Sequence, residues 1–170
     1  MTVGAPGFRD ARSLGNGGLE ALLALNNAHA TELSHLALAR FRALLDAAWL
    51  ALAAEDCSAL LLAFDQGAVY DSPNSLWFRE RWPRFAYVDR VVVAPESRGR
   101  GIARALYAAV LARAAAGGLE RVCCEVNLDP PNPASDAFHA TLGFAEVGRT
   151  TLPSGKAVRY LKRPAAAQPR

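Results

Sequence analysis

The sequence predicts an α+β domain, in which one mixed β-sheet carries helices on both faces. Segments that alternate apolar and polar residues, as half-buried strands do, take turns with segments whose apolar residues recur at helical spacing. Hydrophobic residues make up 52% of the 170 residues, enough for one compact core. We expect residues 1–163 to form a single domain and residues 164–170 a disordered tail.

The first third of the chain contains two predicted helices and three predicted strands. Apolar residues at helical spacing predict helices over 18–27 and 32–45. A short strand is expected within 7–13, ahead of the first helix. Two further strands, over 49–53 and 58–64, are apolar and joined by a short acidic turn, which predicts a hairpin.

Residues 65–83 interrupt this regular pattern with a polar and aromatic excursion. We interpret Phe78 and Trp82 as a hydrophobic cover over the edge of the sheet. The alternative is that they form a contact surface for a second copy of the chain, which would make the protein a homodimer.

The most informative segment joins a β-branched strand, predicted over 85–93, to an Ala/Leu-rich helix predicted over 101–116. Gly99 and Gly101 lie between them. Free main-chain N–H groups at a helix start, together with the helix dipole, attract a phosphate group, and glycine lets that group approach closely. The loop lacks the Gly-Lys-Ser/Thr of a Walker A motif, and Arg104 replaces the third small residue of a Rossmann fingerprint.

The remaining chain continues the alternation of strands and helices. A strand over 119–127 leads into a helix over 133–142, for which Asn132 is a suitable N-cap and Gly143 a suitable stop. Strands over 144–149 and 157–161 then complete a predicted hairpin.

Two of these segments, in this order, resemble signature motifs of the GNAT superfamily of N-acetyltransferases. The first is Arg98-x-x-Gly101-x-Ala103 after the Val-rich strand. The second is an Asn-x-x-Ala-x-x-Phe-Tyr-x-x-x-Gly-Phe pattern, matched at Asn132, Phe138, Gly143 and Phe144, with Ser135 in place of Ala and His139 in place of Tyr. The resemblance covers residues 85–161 well and the N-terminal half only loosely.

The resemblance implies a mostly antiparallel sheet of six or seven strands whose two central strands, 85–93 and 119–127, splay apart. It also implies acetyl-CoA as cofactor, with its pantetheine arm in that gap and its pyrophosphate on the loop. The residues so assigned are Val91, Val92, Val93, Arg98, Gly99, Arg100, Gly101, Ile102, Ala103, Asn132, Ser135 and Phe138.

Acetyl transfer to an amine needs a base for the amine and a proton for the departing thiolate. His139 occupies the position of the usual acid and titrates near neutrality, although a purely structural histidine is the alternative. Carboxylates are rare in the middle of strands, so Glu125 is the first candidate base and Asp89 the second. Ion pairs with Arg90 or Arg121 are the alternative explanation for both carboxylates.

The resemblance places the acceptor near the aromatic excursion and the end of the first helix. The acceptor is expected to be the amine of a small molecule, an amino acid or a peptide. The candidate acceptor-binding residues are Asn26, Asn27, Tyr70, Asp71 and Asn74.

Composition argues against several other function classes. A net charge of +3, from 19 basic and 16 acidic residues, is weak support for nucleic-acid binding. The cysteines (Cys57, Cys123 and Cys124) form no C-x-x-C pair, so neither a disulfide framework nor a metal site is expected. No apolar run approaches the ~20 residues of a membrane span and no secretory signal is evident, so a cytoplasmic location is expected.

Two other functions compete with acetyl transfer. The change from Tyr to His at residue 139 leaves open a non-catalytic acyl-CoA-binding module with a sensory or regulatory role. A nucleotide-dependent enzyme using the same loop is disfavoured, because the loop has no lysine.

Overall fold

A computed structural model describes residues 7–166. Its seven strands are β1 (Phe8–Asp10), β2 (Leu50–Ala54), β3 (Ala59–Asp65), β4 (Ala86–Val93), β5 (Arg121–Asp129), β6 (Ala145–Thr151) and β7 (Ala157–Pro164). Its α-helices are α1 (Asn16–Ala28), α2 (Ala30–Leu33), α3 (Leu38–Ala47), α4 (Pro73–Arg79), α5 (Ile102–Ala116) and α6 (Pro133–Thr141).

The strands form one sheet in the order β1-β2-β3-β4-β5-β7-β6. Every neighbouring pair is antiparallel except β4 and β5, which run parallel. Only two residue pairs keep these central strands in register, Ala86 with Val122 and Tyr87 with Cys123. Beyond them β4 and β5 separate, which confirms the predicted α+β sheet with two splayed central strands.

A β-bulge marks the point where β4 leaves β5. Leu62 of β3 pairs with Arg90, whereas Ala63 pairs with Val88, so Asp89 is the extra residue on β4. A bulge turns side chains away from strict alternation. Asp89 and Arg90 are therefore both largely buried, with side chains only 7% and 6% exposed.

The sheet separates two apolar cores. The core on one face includes Phe41 of α3 and Phe78 of α4, and the opposite core includes Leu106 of α5. Successive strand residues point to opposite faces, so Cys123 joins the first core and Cys124 the second. Both thiols are buried and free.

The aromatic excursion packs on its own sheet. Phe78 is fully buried, and Trp77 stacks on Tyr160 of β7 with ring centroids 4.2 Å apart. Gly148 of β6 makes room for that indole, because a Cβ there would lie 2.5 Å from Trp77. These contacts support the interpretation of the excursion as a cover.

The prediction of one helix over 32–45 is wrong. The structure has two helices there, α2 and α3, with a break between them. Ser34 has a φ of +68°, which ends α2. Asn27 holds the break in place, since its Oδ1 accepts from the Leu36 N–H at 2.9 Å and its Nδ2 donates to Leu36 O at 2.9 Å. A distant amide side chain therefore overrides the local helical pattern.

Ordered structure continues past residue 163, after which the sequence predicts a disordered tail. β7 continues to Pro164, and the buried Ala165 donates its N–H to Glu120 O at 3.0 Å. Residues 167–170 lie outside the described part of the chain. Between residues 7 and 166, no helix is long and apolar enough to cross a membrane, and no cluster of three or more His, Cys, Asp or Glu side chains is arranged to hold a metal ion.

Candidate functional site

The loop before α5 presents open main chain. Gly101 is the N-cap of α5 with a φ of +76°, and no side chain caps the helix. A Cβ built on Gly99 or Gly101 would meet no atom within 4 Å. The first N–H groups of a 15-residue helix are therefore exposed at its positive end, an arrangement that binds phosphate.

This loop lies at one end of a cleft of about 610 Å³, here called the long cleft. Nearly all the residues that the sequence assigned to a cofactor line it: Val91, Val92, Val93, Arg98, Gly99, Gly101, Ile102, Ala103, Asn132, Ser135 and Phe138. Arg100, which the sequence also assigned to the cofactor, does not line it; its guanidinium helps to lower the pKa of Asp56, after the hydrogen bonds from Ser58. Asn132 also caps α6, accepting from Ser135 N at 3.2 Å.

A smaller central cavity continues from the long cleft to where β4 and β5 part. Glu125 of β5 lies on its lining. Its Oε2 is buried and has no hydrogen-bond partner within the described residues. Burial, reinforced by the nearby charge of Asp89, raises the pKa of Glu125 to about 8. A carboxyl group with that pKa can accept a proton from an amine near neutral pH.

Asp89 is differently placed, because its carboxylate is already paired. Arg90 Nε donates to Asp89 Oδ2 at 2.8 Å, and the Tyr70 hydroxyl donates to Oδ1 at 2.6 Å. The Arg90 guanidinium is held in turn by Asn26 Oδ1 at 2.9 Å. The ion-pair explanation therefore fits Asp89, and the free carboxyl oxygen makes Glu125 the stronger candidate base.

His139 is buried between two polar groups instead of pointing a proton at the cavity. Its Nδ1 lies 2.8 Å from Ser135 O, a carbonyl that can only accept, so Nδ1 carries the hydrogen. Its Nε2 therefore accepts from the Tyr107 hydroxyl at 2.7 Å. Burial lowers the pKa of His139, which keeps the ring neutral. This geometry favours the structural alternative for His139 over the role of proton donor.

A side cavity of about 230 Å³ opens on the other side of Glu125. Tyr70 and Asn74 line it, as the sequence predicted. Asp71 is exposed and lies on none of the three cavities. Asn26 and Asn27 are also absent from their linings, because both amides are used to hold Arg90 and the chain after α2. These three residues, which the sequence assigned to the acceptor, therefore lie outside the cavity linings.

The short helix α2 is a shared wall. Glu32 and Leu33 line all three cavities. The residue just before α2, His29, accepts at Nε2 from Arg98 of the phosphate-type loop at 3.0 Å, because its Nδ1 donates to Leu25 O at 3.0 Å. The loop and the wall are therefore directly connected.

Sequence reasoning missed Tyr107, Glu32 and Lys156, which line the cavities. In the sequence, Tyr107 looks like another buried apolar residue of an amphipathic helix. Its hydroxyl group, among alanines and leucines, could nevertheless have marked it as a candidate site residue. Glu32 and Lys156 look like ordinary surface charges, and only the fold brings them to one cavity.

Comparisons with known proteins agree with this geometry. The profile of the acetyltransferase (GNAT) family matches residues 74–144. A phosphinothricin N-acetyltransferase from Alcaligenes faecalis is 35% identical over 65 residues, which are 38% of this chain and 32% of that protein. The match thus spans about a third of the length of this curated relative.

Solved structures resemble nearly the whole fold. Ard1 from Thermoplasma volcanium superposes with a TM-score of 0.72 at 15% identity, covering 96% of this chain and 99% of its own. A phosphinothricin acetyltransferase from Sinorhizobium meliloti, solved in complex with acetyl-CoA, gives a TM-score of 0.66 at 18% identity, covering 94% and 88%. Residues 74–144 thus match the acetyltransferase (GNAT) family, and the described chain, with its splayed sheet, has the fold of solved acetyltransferases.

Proposed function

We propose that this protein is an acetyl-CoA-dependent N-acetyltransferase that acts on the amine of a small molecule, amino acid or peptide. The observation that carries the proposal is the uncapped start of α5 at Gly101, which opens into the long cleft, together with the central cavity that continues from this cleft to the unpaired carboxyl oxygen of Glu125. Phosphate recognition and a candidate base are thereby placed along one path.

The residues present fit coenzyme A. The pyrophosphate requires open N–H groups, and no atom obstructs the space beside Gly99 and Gly101. A cleft of about 610 Å³ lies within the ~300–1,000 Å³ of cofactor-sized pockets. Past Tyr87, β4 has no register with β5, which leaves strand main chain near Val91 and Val93 to bind an extended pantetheine arm.

When bound, acetyl-CoA supplies an acetyl thioester, whose acyl carbon passes to the amine nitrogen while the sulfur departs with the electron pair. Glu125 accepts the proton that the amine must lose, at Oε2 or through one water. The pKa of this carboxyl is raised to about 8. It is therefore closer to the pKa of an alkylammonium than the pKa of an ordinary glutamate is.

Tyr107 is the candidate acid for the departing sulfur, and its hydroxyl proton, which it donates to His139 Nε2, must turn from that hydrogen bond towards the sulfur to be transferred. Its hydroxyl lines the central cavity, and no other phenol does so. His139 acts as a positioning residue, because its neutral Nε2 orients that hydroxyl. The proton taken by Glu125 balances the one given by Tyr107, and solvent exchange restores both groups.

Cys124 also lines the central cavity, and its chemistry favours direct transfer. Burial raises the pKa of this thiol well above its ordinary value. The protonated thiol is a poor nucleophile, so an acetylated cysteine is not expected on the pathway.

The proposal is tested by following free thiol from acetyl-CoA with a panel of primary amines, alongside thermal unfolding with and without CoA. CoA at about 100 times its dissociation constant should stabilise the native chain by roughly 2.7 kcal/mol. A CoA shift without thiol release for any amine would favour the non-catalytic module instead.

Gly101→Val should abolish the CoA shift, because its side chain enters the space proposed for the pyrophosphate. Gly143→Val is the matched control: Gly143 has a similar φ of +83° and open surroundings, but lies on none of the three cavities. Backbone strain is thus comparable in the two variants. An undiminished shift in Gly101→Val would overturn the assignment of the loop.

A further inference from the structure

We infer that the acceptor is a small amine that carries an anionic group several bonds from its nitrogen, with Lys156 binding the anion in the side cavity. This inference rests on the proposed function and specifies its substrate class. It depends on where the cavity places its charges and on which of them are already paired.

The charged groups that line the side cavity come from four different elements. Asp89, Arg90 and Glu125 lie on the strand side, Glu32 comes from α2, and Lys156 comes from the turn between β6 and β7. Its volume of about 230 Å³ is below that of drug-sized ligand sites, which suits a compact acceptor.

The positive charge of Arg90 is already paired within the protein. Its guanidinium is paired with Asp89 at 2.8 Å and bonded to Asn26 at 2.9 Å. Lys156, in contrast, donates only to a neutral carbonyl, Thr31 O at 3.3 Å, and forms no ion pair with any carboxylate in residues 7–166. Lys156 is therefore the cation in this cavity that an anionic ligand would neutralise.

The strand register sets the spacing between the two ends of the ligand. Glu125 pairs with Tyr160 of β7, and Lys156 precedes Tyr160 by four residues. At the rise of a strand, four residues span about 13 Å. The lysine side chain shortens this span, but an amine at Glu125 and an anion at Lys156 still need several bonds between them.

The same charges disfavour other acceptors. A diamine would bring its second ammonium towards Lys156, and an amine without an anionic group would leave that lysine without an ion-pair partner. Glu32, which follows Thr31 on α2, also forms no ion pair in the described part of the chain, and its carboxylate can attract the ammonium end.

The test compares amines matched in length: 4-aminobutyrate, 4-aminobutanamide and 1,4-diaminobutane, with glycine as a short carboxylate and an uncharged tetrapeptide amide as a peptide. Thiol release should give 4-aminobutyrate a kcat/KM at least about tenfold above each of the others. Lys156→Met should remove this preference, whereas Lys156→Arg should keep it.

Lys162→Met is the matched control. Lys162 is the other lysine of the chain, and it lies over Trp82, 5.0 Å from the ring centroid, away from the three cavities. Its loss should leave the preference intact. Equal or better turnover of the amide, the diamine or the peptide by the native protein would overturn the inference, as would a preference that survives Lys156→Met.

Failure of the proposed function is distinguishable from failure of this inference. If CoA binds but none of the amines releases thiol, acetyl transfer is contradicted. Acceptor charge is then measured without turnover, as the thermal shift that 4-aminobutyrate and 1,4-diaminobutane each produce in the CoA complex. A larger shift with 4-aminobutyrate, lost in Lys156→Met, supports the inference, and equal or absent shifts overturn it.

Discussion

The long cleft and the side cavity share only Glu32 and Leu33 in their linings and are otherwise built from different parts of the polypeptide. The long cleft offers main chain: the first N–H groups of α5 and the unpaired edge of β4. The side cavity offers charged side chains from α2, β4, β5 and the β6–β7 turn. Cofactor binding should therefore depend on backbone geometry, whereas acceptor chemistry should depend on single side chains.

The sharpest test of this difference is Glu125→Gln. Removing the base should lower kcat/KM by ~10²–10⁴-fold while the CoA thermal shift stays. In the native protein kcat/KM should rise with pH around an apparent pKa near 8, as Glu125 loses its proton, and this rise should vanish in the variant. Glu120→Gln, at an exposed carboxylate, is the control; equal activity in both variants would exclude Glu125 as base.

Asn26→Ala tests the buried support of the side cavity. The Arg90 guanidinium would lose its buried acceptor, which should lower the free energy of unfolding by about 1–3 kcal/mol. Denaturant unfolding measures this loss, and Asn16→Ala, at an exposed asparagine, should change stability far less. The CoA shift should persist, because Asn26 does not line the long cleft; its loss would show that the two sites are not separable.

The buried carboxyl should also make stability depend on pH. The pKa of Glu125 is raised in the folded state to about 8, from 4.5, so its stabilising contribution is complete below pH 4.5 and disappears as pH rises through 8. Glu125→Gln should match the native Tm near pH 4.5 and exceed it by about 10 °C at pH 9, because the two pKa values differ by the equivalent of roughly 4 kcal/mol over this range. A constant Tm difference across this range would contradict the raised pKa.

Tyr107→Phe should have the smallest effect of the four. The ring keeps its packing against Phe138, with centroids 5.7 Å apart, but the proton is lost. We expect kcat to fall about tenfold with little change in KM or in the CoA shift, since water can partly replace the hydroxyl. Tyr160→Phe removes a hydroxyl bonded to Asn74, outside the central cavity, and should leave kcat closer to native.

The contrast between the two regions also explains what the sequence could predict. Residues 98–103 are contiguous, and their chemistry follows from a strand, two glycines and a helix start. The hydrogen bonds around the central and side cavities join residues that are far apart in the sequence. Asn26 and Arg90 are separated by 64 positions, and Tyr107 and His139 by 32. No local pattern encodes such pairs, so the sequence predicted neither the bond from Arg90 to Asn26 nor the place of Tyr107 beside His139.

Glu125 and Asp89 were recognisable because a carboxylate within an apolar strand is costly, yet their roles were not. The bulge at Asp89 decides that this residue meets Arg90 and Tyr70, whereas Glu125 keeps a free oxygen. A register shift between strands depends on the whole sheet, which the sequence of either strand does not reveal.

Because α2 contributes to the lining of all three cavities, changes to α2 affect all of them. Glu32 and Leu33 border every compartment, and His29 ties the same element to Arg98. Redesign of α2 for a new amine would therefore disturb affinity for CoA as well. The turn at residues 152–156 lines the side cavity and neither of the other two. Variants designed to accept new amines should therefore change residues of this turn.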